Sequence, residues 1–453
     1  MNDPAQKAWY KLDNAAKIFP PTSGKSDTRV FRFSCELREG IDESLLQAAL
    51  DSTMDDFPGF RTVLKPGMFW YYLEQSGLRP LVHREKDPPC STIYLSRKTL
   101  LFDVTWYGKR INLEVYHALT DGTGALQFLK TLVLDYLKLA HPDTMAKAAS
   151  IDYDASQAQK MTDSFNKYYD RSKKSEEIKG INGPANFARG SGESLAELNR
   201  TPGSKKRAAY QLKGAKEAEW RMNIIEGSVS AGALLAKARE YGATVTAFIT
   251  ALLMRAIREE MSAHDAKKPV VITVPVNLRQ FFDSKSTRNF FSLIDIVCDF
   301  QNNNGTLEEV IACAKECFAR NLNVEYLQTR LNKLLGFERN LFVRLVPLTV
   351  KNLCMSIAYS FASREVTAAV SNLGRIRMPD ETNPYIRLFD IFTSTEKLQI
   401  CFCSYEDNMN ISFTSPFVNT DIQRRFFRQL TKMGLAVEIE ANAVSDRKLR
   451  IES

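Results

Sequence analysis

The stretch that decides the fold is Glu114–Gly124, EVYHALTDGTG. Upstream of it, RINLEVY alternates apolar and polar residues with the two-residue period of a strand. The alternation stops at His117, and four residues later Asp121-Gly122 sets a turn. Beyond the turn, Ala125, Leu126, Leu129, Leu132, Val133, Tyr136 and Leu137 fall at helical spacing, the stripe of a helix packed against a sheet. The order strand, histidine, turn, helix places His117 at a strand's end, where a side chain leaves the sheet and faces a crevice.

Two readings of that histidine compete. In one it is a general base: an imidazole with an unperturbed pKa of about 6.5 is mostly neutral near pH 7, as a base must be. Gly122 and Gly124 then let the chain reverse tightly and fix the ring. In the other it is a core histidine before a common turn, with Asp121 merely capping the helix. The chain has four histidines, and His-x-x-x-Asp-Gly arises by chance on the order of 0.01 times in such a composition. Spacing alone leaves both readings open. Asp121 lies beyond the turn and is poorly placed to orient His117; its charge calls for a cationic partner from elsewhere.

The 453 residues suffice for two or three core-forming units, and 44% apolar with 25% charged residues is ordinary globular usage. No run of about 18 apolar residues reads as a membrane span. The N-terminus, MNDPAQKAWYKLDNAAKIF, lacks the unbroken apolar region of a signal peptide, which argues against export and for a cytoplasmic protein. Eight cysteines without CxxC spacing read as reduced thiols. The net charge of +8 comes without a dense basic block or interleaved aromatics, so no nucleic-acid partner is expected. Attraction to a small anionic ligand, such as a nucleotide-bearing cofactor, is the more economical account.

The patterning predicts an α/β chain, layered as α+β, in two similar halves. In the first, residues 1–141, strands are expected at TRVFRFSCEL, on both sides of Pro66-Gly67, at TLLFDVTWYG and at RINLEVY, with a helix in DESLLQAALDSTMDDF. Residues 142–206 are polar and Ser- and Gly-bearing, a crossover linker. In the second half, 207–453, strands are expected near RAAYQLKG, WRMNIIEGSVS, PVVITVPVNL and FFSLIDIVCDF, and four more after residue 364, before a closing helix from Asp421. The run YLQTRLNKLLGFERNLFVRLVPLTVKNLCMSI interleaves basic and apolar residues in a way that would suit an anionic surface. A core-packing helix pair with a solvated basic face is preferred over peripheral membrane contact.

Other motifs do not hold. GKS at Gly24–Ser26 lacks the upstream glycine of a phosphate loop, GTGALQ lacks the third dinucleotide glycine, and no GxSxG occurs. His83, His141 and His264 have no partner at metal spacing, so no metal site is expected.

HALTDG, however, resembles the HxxxDG motif of the acyltransferase superfamily that includes chloramphenicol acetyltransferase, plant BAHD enzymes, wax ester synthases and the condensation domains of peptide synthetases. VPVNLRQFF, RNFF and VSNLG follow in matching order, and the likeness spans the chain, strongest to the alcohol acetyltransferase branch. The resemblance implies two related subdomains, each a mixed sheet covered by helices, with a tunnel between them. It implies that His117 deprotonates an alcohol or amine acceptor, which attacks an acyl-CoA co-substrate, bearing an acetyl or short acyl group, with no acyl-enzyme and no resident cofactor. It implies an Asp121–Arg279 pair joining the halves beside Gly122, and an oxyanion site at Ser371, Asn372 and Gly374. A monomer or small homo-oligomer is expected. Tyr116 stands where condensation domains double the histidine, and the plant DFGWG segment is missing. The alternatives are a non-catalytic scaffold with the same fold, or a condensation enzyme with a carrier-bound donor.

Overall fold

Three sheets organise the chain in the computed structural model, which describes residues 8–93, 98–151, 155–170, 208–301 and 305–442. A small sheet has the order β1 (Trp9–Lys11), β4 (Tyr71–Gln75), β3 (Thr62–Pro66). The sheet of the first half runs β12 (Ile386–Thr393), β2 (Val30–Leu37), β7 (Arg110–Tyr116), β6 (Phe102–Tyr107), β5 (His83–Arg84). That of the second runs β10 (Phe291–Cys298), β9 (Val270–Asn277), β11 (Ala368–Ile376), β13 (Leu398–Tyr405), β14 (Asn408–Ser415), β8 (Asn223–Ser230), β15 (Glu438–Ala441). Most of the expected linker, residues 171–206, lies outside the described residues.

Chain order and sheet membership part company at β12. It follows β11 in sequence, yet it pairs antiparallel with β2 from Phe31↔Thr393 to Leu37↔Ile386. The first sheet thus gains a buried edge strand from the second half. β2 becomes an interior strand, and it is buried on both faces, not half-buried as its alternation suggests: Arg32 within it is buried and ion-paired with Glu114 and Glu85.

The helix Gly122–Ala140 buries Ala125, Phe128, Leu129, Leu132, Val133, Tyr136 and Leu137, close to the predicted stripe. In the second half the helix Val245–Arg258 is buried almost throughout, which an apolar run of that length requires. The strand expected at RAAYQLKG does not form. Residues 208–214 run irregularly beside β9, where Tyr210 N–H donates to the Pro269 carbonyl over 2.8 Å; Pro269 has no N–H to return, so no ladder starts there.

The helix Val324–Arg339 packs as expected, burying Leu327, Leu331 and Leu335 with Arg330 among them, but beyond it the expected arrangement inverts: Lys351 is buried, whereas Leu353 and Phe361 stand in solvent. The Lys351 ammonium is turned inward because it finds the Phe69 and Arg344 carbonyls, at 2.9 and 3.2 Å, and the face of Trp70 at 4.0 Å. Among the described residues no helix is long and apolar enough to cross a membrane.

Candidate active site

His117 begins where β7 ends. Its N–H donates to the Arg29 carbonyl over 2.9 Å, carrying the β2–β7 ladder one residue past the strand. Arg29 sits at φ +59°, and the Asp27 carboxylate steadies that turn by accepting the Arg29 N–H at 3.0 Å. The imidazole lies in an aromatic sleeve. Phe19 stacks on it with centroids 4.4 Å apart, Phe31 meets it edge-on at 4.8 Å, and Phe291 lies 5.6 Å away. Burial in this sleeve holds the imidazole below its ordinary pKa of 6.5; the Asp121 charge and a hydrogen bond to Asn289 oppose the effect without overcoming it.

Asn289 settles the tautomer. Its Nδ2 is directed at two acceptors, the His117 carbonyl at 3.1 Å and the Asp13 carboxylate at 3.4 Å, so this end of the amide is the NH₂. Its Oδ1 therefore faces His117 Nδ1 at 3.1 Å and accepts a hydrogen bond from it. With the proton on Nδ1, a neutral imidazole carries its lone pair on Nε2, the state a base needs.

Asp121 does not orient the imidazole by hydrogen bonding; both its oxygens are committed elsewhere. Oδ1 caps the helix by accepting from Thr123 N–H and Gly124 N–H at 3.1 and 3.2 Å. Oδ2 accepts from Arg279 Nη1 and from Phe290 N–H, each at 2.8 Å. Arg279 also donates to the Ser286 carbonyl at 2.9 Å and to that of Arg288. The buried pair thus builds the loop 286–290, which carries Asn289. Asp121 acts on His117 through that loop.

The turn is also a wedge. β9 and β11 pair only at Ala368–Ile272 and Ala369–Thr273 and then diverge. The Asp121–Gly124 turn enters that fork: Asn277 on the β9 side donates to Thr123 Oγ1 at 3.2 Å, and Leu373 on the β11 side lies against Gly122. A Cβ on Gly124 would stand 2.2 Å from the Thr287 carbonyl oxygen, so this glycine lets the halves close.

The three oxyanion candidates divide. Gly374, at φ +78°, donates its N–H to Asn372 Oδ1 over 2.7 Å, and Asn372 Nδ2 donates to Thr246 Oγ1 over 2.8 Å, so these donors are engaged on the helix side of the sheet. Ser371 lies opposite Cys401 in the β11–β13 register, and Cys401 belongs to the apolar cluster beneath the first sheet. Lateral neighbours share a face, so Ser371 faces the seam between the halves. Cavities of about 670 and 550 Å³ line the second sheet near Arg387 and Arg375; neither touches His117. Among the described residues no three metal-ligating side chains cluster.

Sequence reasoning missed Asn289 and Phe19. RNFF stands out only as a landmark, and Phe19, nearly a hundred residues before the histidine, carries no signal at all.

No protein-family model matches the sequence, and no curated relative does. Solved structures do. The first condensation domain of the calcium-dependent antibiotic synthetase aligns with a TM-score of 0.61 at 15% identity, over 94% of this chain and 96% of that one. The trichothecene 15-O-acetyltransferase of Fusarium sporotrichioides aligns at 0.59 and 10% identity, over 95% of each chain. The chain has the two-lobed chloramphenicol acetyltransferase-like fold. A starter condensation domain of rhizomide synthetase, in complex with C8-CoA, shares it at a TM-score of 0.58 and 14% identity, over 93% of this chain and 94% of that one. Likeness at these identities is one of fold; chemistry has to come from the site. In this chain the turn after His117 and the Arg279 loop meet at the seam, and Tyr116, next to the histidine, is buried with its hydroxyl 2.8 Å from Ser23 Oγ.

Proposed function

We propose that the protein is an acyltransferase that moves an acyl group from an acyl-CoA thioester to a hydroxyl or amine acceptor. The observation that carries this reading is the Asn289–His117 pair, which leaves Nε2 as the proton acceptor inside an apolar sleeve. Nε2 takes the acceptor's proton as its oxygen or nitrogen attacks the thioester carbonyl. The tetrahedral oxyanion needs a donor, which we assign to the seam-facing Ser371 hydroxyl. Collapse breaks the C–S bond, and the thiolate recovers the proton from the imidazolium, leaving ester or amide and free thiol. No acyl-enzyme forms. Tyr116 in place of a second histidine supports a free CoA donor over carrier-bound condensation.

Thiol release from a panel of acyl-CoAs, with alcohols and amines as acceptors, tests the reading. His117→Ala should lose roughly 10²–10⁴ of the rate in a chain that still unfolds cooperatively. Equal rates in both proteins point to a binding scaffold and sink the proposal.

A further inference from the structure

The helix Leu348–Ser363 turns apolar residues outward. Val350, Leu353, Ile357 and Phe361 recur at spacings of three, four and four, one stripe of a helix, and Leu353 and Phe361 are 62% and 58% exposed. The short helix before it, Leu341–Leu345, leaves Phe342 71% and Leu345 61% exposed. Isolated surface leucines need no explanation, but a continued apolar stripe does. The helix also has an inner face, and that face is fully used: Ser356 donates to the Pro21 carbonyl, Tyr359 lies under Arg29, and Lys351 is buried. The stripe is therefore left over after packing.

Charge identifies the occupant. Between Glu338 and Glu365 the sequence has four basic residues and no acidic one, and of the four only Lys351 is buried. Arg344 and Arg364 are exposed at the stripe's two ends, and Glu338, the nearest upstream acid, is ion-paired with Lys17. A second copy of the same surface would bring like charges together. A bilayer with anionic headgroups accepts both features, taking the apolar side chains into the acyl boundary and the guanidinium groups at the phosphates.

We propose that this face docks the protein on anionic lipid surfaces. The inner side of the docked helix abuts the segment that carries Phe19, so the membrane lies beside the wall of the His117 sleeve.

Flotation of the full chain with vesicles of phosphatidylcholine, with and without phosphatidylserine, tests this. The wild type should bind the serine-containing vesicles at least about tenfold more, at about fivefold for each basic residue at the surface. Leu353→Glu with Phe361→Glu should reduce that binding by at least about tenfold. Arg344→Glu should lose most of the preference for phosphatidylserine. Melting curves check that the variants fold, and if they do not, the wild type's preference decides alone. Absence of wild-type flotation, or a double variant that floats as well as the wild type, overturns the proposal. So does a wild-type dimer that the double variant dissolves without any vesicle binding, which would make the stripe a contact between copies.

Discussion

Asn289 grips His117 twice, donating to its carbonyl oxygen and accepting from its Nδ1, each over 3.1 Å. The two bonds tie ring to backbone through one rigid amide, so the residue fixes both the direction of Nε2 and the tautomer. Asn289 is a positioning residue from the other half of the chain, and the base is complete only when the halves are closed.

Asn289→Ala should lower kcat at least about tenfold, and by no more than the roughly 10²–10⁴ that a general base supplies. The pH profile separates this from a merely structural role. A base must be unprotonated, so the rate falls at low pH through the pKa of His117, which burial places below 6.5. The Asn289 bond supports the charged ring, so losing it moves the acidic limb to still lower pH. A limb that stays in place or moves upward would contradict the assignment.

The Asp121–Arg279 pair couples stability to the same geometry. Its side chains are 7% and 9% exposed, and removing one partner strands a buried charge. Asp121→Ala should cost about 3–5 kcal/mol in denaturant unfolding. It should also reduce turnover, because the loop that carries Asn289 loses its anchor. Arg279→Leu in the same background should recover part of the stability and none of the activity. Additive losses in the double variant would show that the two side chains do not interact.

How much of this was legible beforehand follows from the range of each interaction. The turn after His117 and the helix stripe are local patterns, and the helix buries close to the face its spacing marks; Arg279 is a landmark of the family resemblance, and its side chain meets Asp121 across the halves. Asn289, Phe19 and the β12 exchange depend on which distant segments meet, and no periodicity encodes that. The helix after Leu348 failed for another reason. Amphipathic spacing shows that one face is apolar, but not whether that face points inward, and Lys351 and Tyr359 had already claimed the interior.

The two glycines of the motif make a graded test. Gly124→Ala places a methyl 2.2 Å from the Thr287 carbonyl oxygen and 2.1 Å from Thr120 Oγ1, and the backbone oxygen cannot yield without opening the seam. It should cost about 2–3 kcal/mol. Gly122→Ala meets the end of the Leu373 side chain at 2.9 Å, which can turn aside, and should cost under about 1 kcal/mol. Equal costs in thermal or denaturant unfolding would mean that the turn does not wedge the fork as described.

Asp390 on β12 gives the halves a pH-dependent joint. It is fully buried, and burial with the nearby Glu226 charge raises its pKa from 3.8 to about 8, against the pull of Arg110 at 3.1 Å. Arg110 is shared with Glu36, Glu226 and Glu440, and Arg387 bridges Glu36 and Glu440, so carboxylates outnumber guanidinium groups around it. The folded chain therefore holds a proton on Asp390 that the unfolded chain releases above its ordinary pKa. Stability from this group falls as pH rises from about 4 to about 8 and is constant beyond. Asp390→Asn removes the ionisation while Arg110 keeps three carboxylates. Its melting temperature should match the wild type near pH 4 and exceed it by about 2 °C or more at about pH 9. The difference reports Asp390 together with its coupling to Glu226, because the two charges raise one another's pKa. A variant that melts below the wild type at the alkaline end would show that Asp390 is held ionised and that its pairing with Arg110 outweighs its burial.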